Sequence, residues 1–326
     1  MPTSTTDATS SLHIQVRDLR PRDRRRRSYP GTTGSFSSAA GLHRRPWLQR
    51  LRRALREDLF VLHYQPIVSL KAGTVSHYEA LIRLADDPDG RLAPPCSFLP
   101  AAERYGLVQE IDRMVVGKVA ALMGGELATD RGHGHGHGHT IQRIGSQRIG
   151  SQGIGSRRAG SAGDARVAIN LSALSITDRG MLAHIERELA RHRVDPDRLI
   201  VEVTETAAIS DMRQAVAFCE GVHTLGSAVA LDDFGAGFGS FHYLKHLPFR
   251  YLKIDGDFIR ALPTSRKDQL VVQALVGVAR GMGKQTIAEY VGDEPTMRLL
   301  RDYGVDYAQG FQLGRPRCQV EAFAAA

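Results

Sequence analysis

Short apolar runs rich in β-forming residues alternate with longer helical patterns along most of the chain, and this alternation constrains the fold more than any other feature. Eight runs can be identified: Val61–Val68, Val75–Arg83, Val167–Ser172, Leu199–Glu205, Ala228–Asp233, Tyr251–Asp255, Gln285–Tyr290 and Asp306–Phe311. Helical patterns lie between most of them, for example Met181–His192, Met212–Leu225, Gln269–Met282 and Glu294–Tyr303. Strands separated by helical crossovers form a parallel sheet. The sequence therefore predicts an α/β fold of the TIM-like (β/α)8 barrel type, in which function resides where the strands end.

Two segments lack the apolar periodicity from which a core could be built. Residues 1–46 are rich in Ser, Thr, Gly, Pro and Arg, and residues 124–166 combine a Gly-His alternation with near-repeats of Ile-Gly-Ser-Gln-Arg. Such segments bury too little to order themselves. We expect a disordered Arg-rich tail over 1–46 and a barrel domain over 47–326, which begins with an amphipathic helix and carries a low-complexity insert at 124–166. The four alternate histidines of the insert are assigned no role: His133, His135, His137 and His139.

The basic character of the chain belongs to these two segments. Of the total formal charge of +8, residues 1–56 carry +10 and residues 124–166 carry +3, which leaves −5 on the remaining residues. A basic tail is more often a solvated arm than a reader of nucleic-acid sequence. We expect no specific nucleic-acid partner and at most weak contact of the tail with an anionic surface.

The cysteines and the apolar runs indicate the cellular compartment of the protein. Cys96, Cys219 and Cys318 are far apart and form no CxxC pair, so the sequence indicates neither a disulfide framework nor a thiolate metal site. No apolar run approaches the roughly 18 residues needed to span a bilayer, and the Arg-rich start does not resemble a signal sequence. The sequence predicts a soluble, cytoplasmic protein.

Polar residues recur in or near the ends of the predicted strands: Gln65, Glu79, Asn170, Glu202, Glu205, Asp232, Asp233, Lys253, Asp255, Glu289 and Gln309. Any one of them could simply cap a helix or lie on an edge strand. Their recurrence on strand after strand favours a common site. Several carboxylates that converge on one barrel mouth need cations, because burying them unpaired is costly. Carboxylate and amide oxygens without cysteine suit hard ions such as Mg2+ or Mn2+, and the adjacent pair Asp232-Asp233 could serve two neighbouring metals.

The loop Phe234–Ser240, which follows Asp232-Asp233, contains three glycines that could let the backbone approach a phosphate or let a lid move. It lacks the Lys-Ser/Thr of a nucleotide P-loop. These features together indicate a hydrolase with a hard metal in a barrel.

The motif Glu79-Ala80-Leu81 followed by Arg83 resembles the signature of the EAL-domain family of cyclic di-GMP phosphodiesterases. Further blocks resemble the family in the same order: Tyr64-Gln65-Pro66-Ile67-Val68, Asn170-Leu171-Ser172, Glu202-Val203-Thr204-Glu205, Asp232-Asp233-Phe234-Gly235, Leu252-Lys253-Ile254-Asp255, Ala288-Glu289 and Gln309-Gly310-Phe311. Together they run from about Leu55 to Pro316, interrupted only by the insert.

The resemblance implies a barrel whose first strand runs opposite to the others, and it implies hydrolysis of cyclic di-GMP to linear pGpG by two metal ions in a homodimer. It implies one metal held by Glu79, Asn170, Glu202 and Asp232, and a second held with the help of Asp233 and Glu289. It places Lys253 near the attacking water and Gln309 in the metal and water network. It places Gln65, Arg83 and Asp255 toward the substrate, and it implies that Glu205 braces the loop at Gly235.

The chain departs from the resembled pattern at two places. Many family members have Glu-Gly-Val-Glu-Thr where this chain has Glu289-Tyr290-Val291-Gly292-Asp293, and the usual Ser-Ser of the loop is Gly239-Ser240. These departures bear on rate and regulation more than on the reaction itself. Two alternatives to an active enzyme stay open. One is a binding module that senses the dinucleotide without turning it over. The other is a main role in nucleic-acid or membrane association through the tail.

Overall fold

In a computed structural model of the protein, the structure describes residues 46–87, 89–125, 165–235 and 241–318. The strands of these ranges are β1 Phe60–Ser69, β2 Val75–Leu84, β3 Arg166–Leu171, β4 Leu199–Thr204, β5 Ala228–Phe234, β6 Tyr251–Ile254, β7 Gln285–Ala288, β8 Tyr307–Gln309 and β9 Arg317–Cys318. The helices are α1 Pro46–Arg56, α2 Pro95–Arg104, α3 Val108–Met123, α4 Ala173–Ile176, α5 Met181–Arg191, α6 Glu205–Ser210, α7 Met212–Thr224, α8 Phe241–His246, α9 Gly256–Ile259, α10 Arg266–Gly281 and α11 Glu294–Tyr303. All eight predicted strands are present.

The first eight strands close into a barrel. Strands β2 to β8 pair in chain order and run parallel, and β1 closes the ring by pairing with both β2 and β8. Both of these pairings are antiparallel. The predicted barrel with a reversed first strand is therefore confirmed. The short β9 also pairs with β1 in antiparallel fashion, at His63 and Tyr64.

Several helices begin where a side chain caps them directly after a strand. Ser172 caps α4, Thr204 caps α6 and Asp255 caps α9, and in each case a side-chain oxygen accepts a hydrogen bond from a backbone N–H in the first turn. These caps satisfy N–H groups that have no partner within the helix. They turn the chain sharply at the carboxyl ends of β3, β4 and β6, and so they fix where each strand stops.

Two cores surround the sheet. The larger core lies between the barrel and its helices, and α3 contributes the buried residues Ile111, Val116 and Val119 to it. The smaller core fills the barrel interior. The helix predicted from Trp47 is present as α1, which buries Leu51 and Ala54 against the outer core. The structure also adds α2 and α3 between β2 and β3.

Some predictions fall outside the described residues. These are the tail up to residue 45, most of the insert with its four histidines (126–164), and the loop segment 236–240 with Gly239 and Ser240. Strand β3 begins at Arg166, the last residue of the predicted insert. The described residues all belong to one compact unit.

Within the described part of the chain, none of the helices combines the length and the apolar character needed to cross a bilayer.

Candidate active site

One rule of spacing places the polar side chains in the barrel. On seven of the eight barrel strands, β1 and β3 to β8, an interior apolar or aromatic residue lies two positions from a polar one. On the parallel strands the polar residue comes later, as in the pairs Ala168/Asn170, Ile200/Glu202, Ala230/Asp232, Tyr251/Lys253, Ile287/Glu289 and Tyr307/Gln309. On the reversed β1 it comes earlier, as Gln65 before Ile67. Side chains two residues apart on a strand face the same way, so the polar set forms one layer above the apolar interior, at the carboxyl ends of the parallel strands.

Lys253 lies at the centre of this layer. Its Nζ is 2.7 Å from Glu202 Oε2, 2.8 Å from Glu289 Oε1, 2.9 Å from Asp232 Oδ1 and 3.8 Å from Glu79 Oε2. The Lys253 side chain is 1% exposed. A buried ammonium group needs such partners, because burial without them would cost several kcal/mol. Four strands thus direct carboxylates toward one cation that β6 supplies.

The crowding of charge shifts the pKa values of these groups. Burial raises the pKa of Glu202 well above its ordinary value, although Lys253 opposes the shift. Burial, again opposed by Lys253, raises the pKa of Glu289 to about 8. Burial alone would lower the pKa of Lys253, but Asp232, Glu202 and Glu289 together hold it well above the ordinary lysine value. The site therefore holds more carboxylates than one lysine can neutralise.

A chain of hydrogen bonds fixes the side of the layer formed by β1, β2, β3 and β8. Gln65 and Glu79 are register partners on β1 and β2. Asn170 Nδ2 donates to Glu79 Oε1 over 2.7 Å, and Gln309 Nε2 donates to Glu79 Oε2 over 2.6 Å and to Gln65 Oε1 over 3.1 Å. Gln65 Nε2 donates in turn to the carbonyl oxygen of Gly314 at 3.0 Å. Both oxygens of the Glu79 carboxylate are thereby oriented before any ligand binds.

The oxygen atoms of Asp232, Asp233 and Glu289 form a group that could hold a metal ion, since one oxygen of each lies within 4.8 Å of the others. Asp233 has a φ of +54°, a left-handed conformation that departs from the extended strand. Partial burial and the charge of Asp232 raise the pKa of Asp233 to about 6. Two buried acceptors, Glu202 Oε1 and Gln309 Oε1, have no hydrogen-bond partner among the described residues. This excess of oxygen ligands and negative charge fits a hard divalent cation.

Three further predicted residues lie around the layer. Glu205 is 3% exposed, and its Oε2 accepts a hydrogen bond from the backbone N–H of Gly235 at 3.1 Å. Arg83 is half-buried and donates to the carbonyl oxygen of its neighbour Ile82. Asp255 Oδ1 caps α9 by accepting a hydrogen bond from the backbone N–H of Asp257 at 2.6 Å. Among the described residues, Asp255 does not line the cavity that the other polar residues form.

The polar layer forms the floor of a cavity of about 410 Å³. Most of the predicted residues line it: Gln65, Glu79, Arg83, Asp232, Asp233, Lys253, Glu289 and Gln309. Its lining also includes Leu81 and Pro95 and two aromatic residues for which the sequence predicted no role in the site, Tyr290 and Phe311. Both aromatic residues are well exposed, at 59% and 60%. The sequence predicted both as the last residues of strands, but β7 ends at Ala288 and β8 at Gln309, so both residues lie on the connections beyond these strands.

A sequence model of the EAL domain family matches residues 48–154 and 140–316 of the chain. Among curated proteins, the chain is 32% identical over 272 residues to the cyclic di-GMP phosphodiesterase PdeB of Shewanella oneidensis. The matched region covers 83% of this chain and 28% of PdeB, so the chain spans less than a third of that relative.

The fold is shared with several solved structures, including the following two. The PaMucR phosphodiesterase in complex with c-di-GMP is 33% identical, with a TM-score of 0.70 over 85% of this chain and 99% of that one. The FimX EAL domain from Pseudomonas aeruginosa, bound to c-di-GMP, is 28% identical, with a TM-score of 0.68 over 83% of this chain and 96% of that one.

Proposed function

Because the chain belongs to the EAL domain family, we propose that it hydrolyses cyclic di-GMP to linear pGpG in a reaction that requires divalent metal ions. The observation that carries the proposal is the single cavity in which Glu79, Asp232, Asp233, Glu289 and Lys253 meet. The relatives support the substrate, since PdeB is named for cyclic di-GMP and the PaMucR structure contains it.

Mg2+ or Mn2+ would be held by oxygen ligands that the barrel already brings together. In the proposed arrangement Glu79, Asn170, Glu202 and Asp232 hold one ion, and Asp233 with Glu289 holds a second. The hydrogen bond of Asn170 Nδ2 to Glu79 leaves the amide oxygen of Asn170 available as a ligand. When bound, such ions acidify a coordinated water and stabilise charge on the leaving oxygen.

The protein's own residues supply position and charge. Lys253 carries a fixed positive charge on the cavity floor, where its N–H groups can orient the attacking water or a phosphate oxygen. Gln309 holds the Glu79 carboxylate in place, and Arg83 and Gln65 line the cavity toward the substrate. Glu205 ties the start of the loop at Gly235 to the end of β4.

A second candidate function is a cyclic di-GMP-binding signalling module with weak or no turnover. The observation that favours it is the altered segment directly after Glu289, in which Tyr290 and Gly292 line the cavity. The FimX EAL domain bound to c-di-GMP shows that a relative of this fold binds the ligand. The intact set of carboxylates and Lys253 favours the enzyme.

The deciding experiment is incubation of the full chain with cyclic di-GMP and Mg2+ or Mn2+, with the products separated by chromatography. We expect linear pGpG, and a loss of rate of about 100-fold or more in Glu79→Ala and Lys253→Ala. Glu103→Ala, which removes an exposed carboxylate on α2, is the matched control and should keep the wild-type rate. Tight binding without any product would identify the signalling module, and hydrolysis that persists in Glu79→Ala would contradict the proposed site.

A further inference from the structure

Tyr290 occupies a position of unusual backbone geometry at the edge of the cavity. Its φ is +54°, a left-handed conformation that a bulky residue rarely adopts. The resembled family pattern has glycine here, which adopts this conformation without strain. A large aromatic side chain that stays 59% exposed also gains little from burial. Strain of this kind at a cavity edge points to a functional reason for the side chain.

The ring is nevertheless held in a defined orientation by α9. A β-carbon on Gly256 would lie only 2.2 Å from Cδ2 of Tyr290, so the ring can pack there only because residue 256 is glycine. The guanidinium carbon of Arg260, one helical turn further on, lies 4.1 Å from the ring centroid in a cation–π contact. Arg260 is itself paired with Asp257. The side of the ring toward α9 is therefore covered, and the ring is fixed before a ligand arrives.

The backbone beside Tyr290 is equally well fixed. The N–H of Val291 donates to the carbonyl oxygen of Gln309 at 2.9 Å, and the carbonyl oxygen of Val291 accepts from the N–H of Gln312 at 3.2 Å. These bonds join the segment after β7 to the segment after β8. A side chain on this segment keeps its place relative to the cavity floor, so a contact that it makes costs little further ordering.

The cavity divides into two chemical parts. Its floor holds the carboxylates and Lys253, which suit a phosphodiester with metal ions. Its wall holds apolar and aromatic surface from Leu81, Pro95, Phe311 and Tyr290. A nucleotide has the same two parts, and a base whose phosphate lies on the floor must extend along the wall. Aromatic side chains bind bases by stacking on their π faces.

We propose that the Tyr290 ring is a stacking surface for a purine base of the bound cyclic dinucleotide, held by Gly256 and Arg260, and that it sets affinity and base preference. The identity of the ligand rests on the proposed function. Tyr290 acts on binding and not on the reacting atoms, so its effect falls on Kd and KM more than on kcat.

The first test measures binding of labelled cyclic di-GMP to the full chain by equilibrium dialysis in EDTA, where the metal-dependent reaction does not proceed, and hydrolysis in parallel with Mg2+. Removing the ring in Tyr290→Ala should raise Kd or KM about 10-fold and change kcat less than about 3-fold, as expected for the loss of one stacked base. Tyr290→Gly should raise Kd or KM by the same factor, although it also removes the backbone strain at this position. Tyr290→Phe, which keeps the ring, should stay within about 2-fold of wild type.

Two further variants locate the effect. Gly256→Ala places a methyl group where the Tyr290 ring lies, so it should weaken binding as Tyr290→Ala does. Leu270→Ala removes an apolar side chain of similar exposure, 51%, on α10 and should leave binding unchanged.

A matched pair of competitors tests the base directly. GMP and ribose 5-phosphate share a sugar phosphate, and only GMP has a base. Wild type should prefer GMP, and this preference should shrink about 10-fold in Tyr290→Ala. Wild-type binding by Tyr290→Ala and Tyr290→Gly, or an unchanged competitor ratio, would overturn the stacking role alone. A wild-type protein that neither binds nor hydrolyses cyclic di-GMP would instead overturn the proposed function and, with it, this inference.

Discussion

Lys253 Nζ lies 2.7 Å from Glu202 Oε2 in a part of the barrel interior where the Glu202 side chain is fully buried and the lysine side chain is 1% exposed. The two residues come from strands β4 and β6, on either side of β5. Three other carboxylates converge on the same ammonium group. Lys253 therefore acts as the internal counter-ion of the site as well as a candidate catalytic group.

We predict that Lys253→Met lowers the free energy of unfolding by about 3–5 kcal/mol in EDTA, because it leaves several buried carboxylates without a cation. Urea denaturation followed by circular dichroism measures this change. Lys267→Met, on the exposed side of α10, should change stability by less than about 0.5 kcal/mol. Equal stabilities for the two variants would mean that the carboxylates are neutralised by protonation instead.

Divalent ions should stabilise the wild-type protein. An ion that binds only the folded state adds about 2.7 kcal/mol at a concentration 100 times its Kd, so Mg2+ or Mn2+ should raise Tm in a concentration-dependent way. Asp232→Asn should reduce this shift, because it removes a proposed ligand. Asp302→Asn, an exposed position on α11, should retain the full shift. A Tm that does not respond to either ion would count against a metal site.

Glu205 should affect activity through the loop that it holds. Glu205→Ala removes the acceptor for the Gly235 N–H, and we expect hydrolysis to fall about 10- to 100-fold, as for other groups that orient a metal site from behind. Glu205→Gln keeps an acceptor oxygen and should retain most of the rate. Steady-state kinetics across a range of Mg2+ concentrations checks this, and equal rates for the two variants would contradict it.

A buried carboxylate outside the cavity should matter for stability alone. Asp112 Oδ2 accepts hydrogen bonds from Ser172 N at 3.0 Å, Ser172 Oγ at 2.7 Å and Ser175 Oγ at 2.6 Å, and so anchors the carboxyl end of β3 to α3. Asp112→Ala leaves these donors unpaired, and we expect a loss of about 3 kcal/mol. Chemical denaturation measures the loss, with the exposed Glu110→Ala on the same helix as the control. A loss no larger than that of the control would show that water replaces the carboxylate.

The strands were predictable because their apolar runs are short, β-branched and regularly spaced. The predicted ends of all eight barrel strands lie within two residues of the observed ends, as for Val61–Val68 against Phe60–Ser69. The resemblance supplied the reversal of β1, which periodicity does not encode, because an alternating pattern reads the same in both directions. The hairpin that joins β1 to β2 by a connection of five residues is compatible only with antiparallel strands.

The floor of the cavity was predictable for the same local reason, since a polar residue two positions from an interior apolar one must face the same side. Asp255 shows the limit of that argument: the residue after a strand can turn away to cap a helix. The spacing argument predicted no role for Tyr290 and Phe311, because their placement depends on hydrogen bonds between two connections that are distant in sequence. Asp112 was missed because its partners Ser172 and Ser175 come together with it only when α3 packs against β3.

The reversal of β1 decides from which side the rest of the polypeptide reaches the cavity. Phe60, the first residue of β1, pairs with Leu84 at the carboxyl end of β2, and Arg50 of α1 is ion-paired with Asp86 just beyond it. The chain therefore enters the barrel at the end that holds the acidic floor, whereas the flanks of the insert, Gly125 and Ala165, lie before the amino end of β3. A module joined ahead of Pro46 would therefore attach on the side of the acidic floor, whereas both attachment points of the insert lie on the opposite side, beside Arg198 at the amino end of β4.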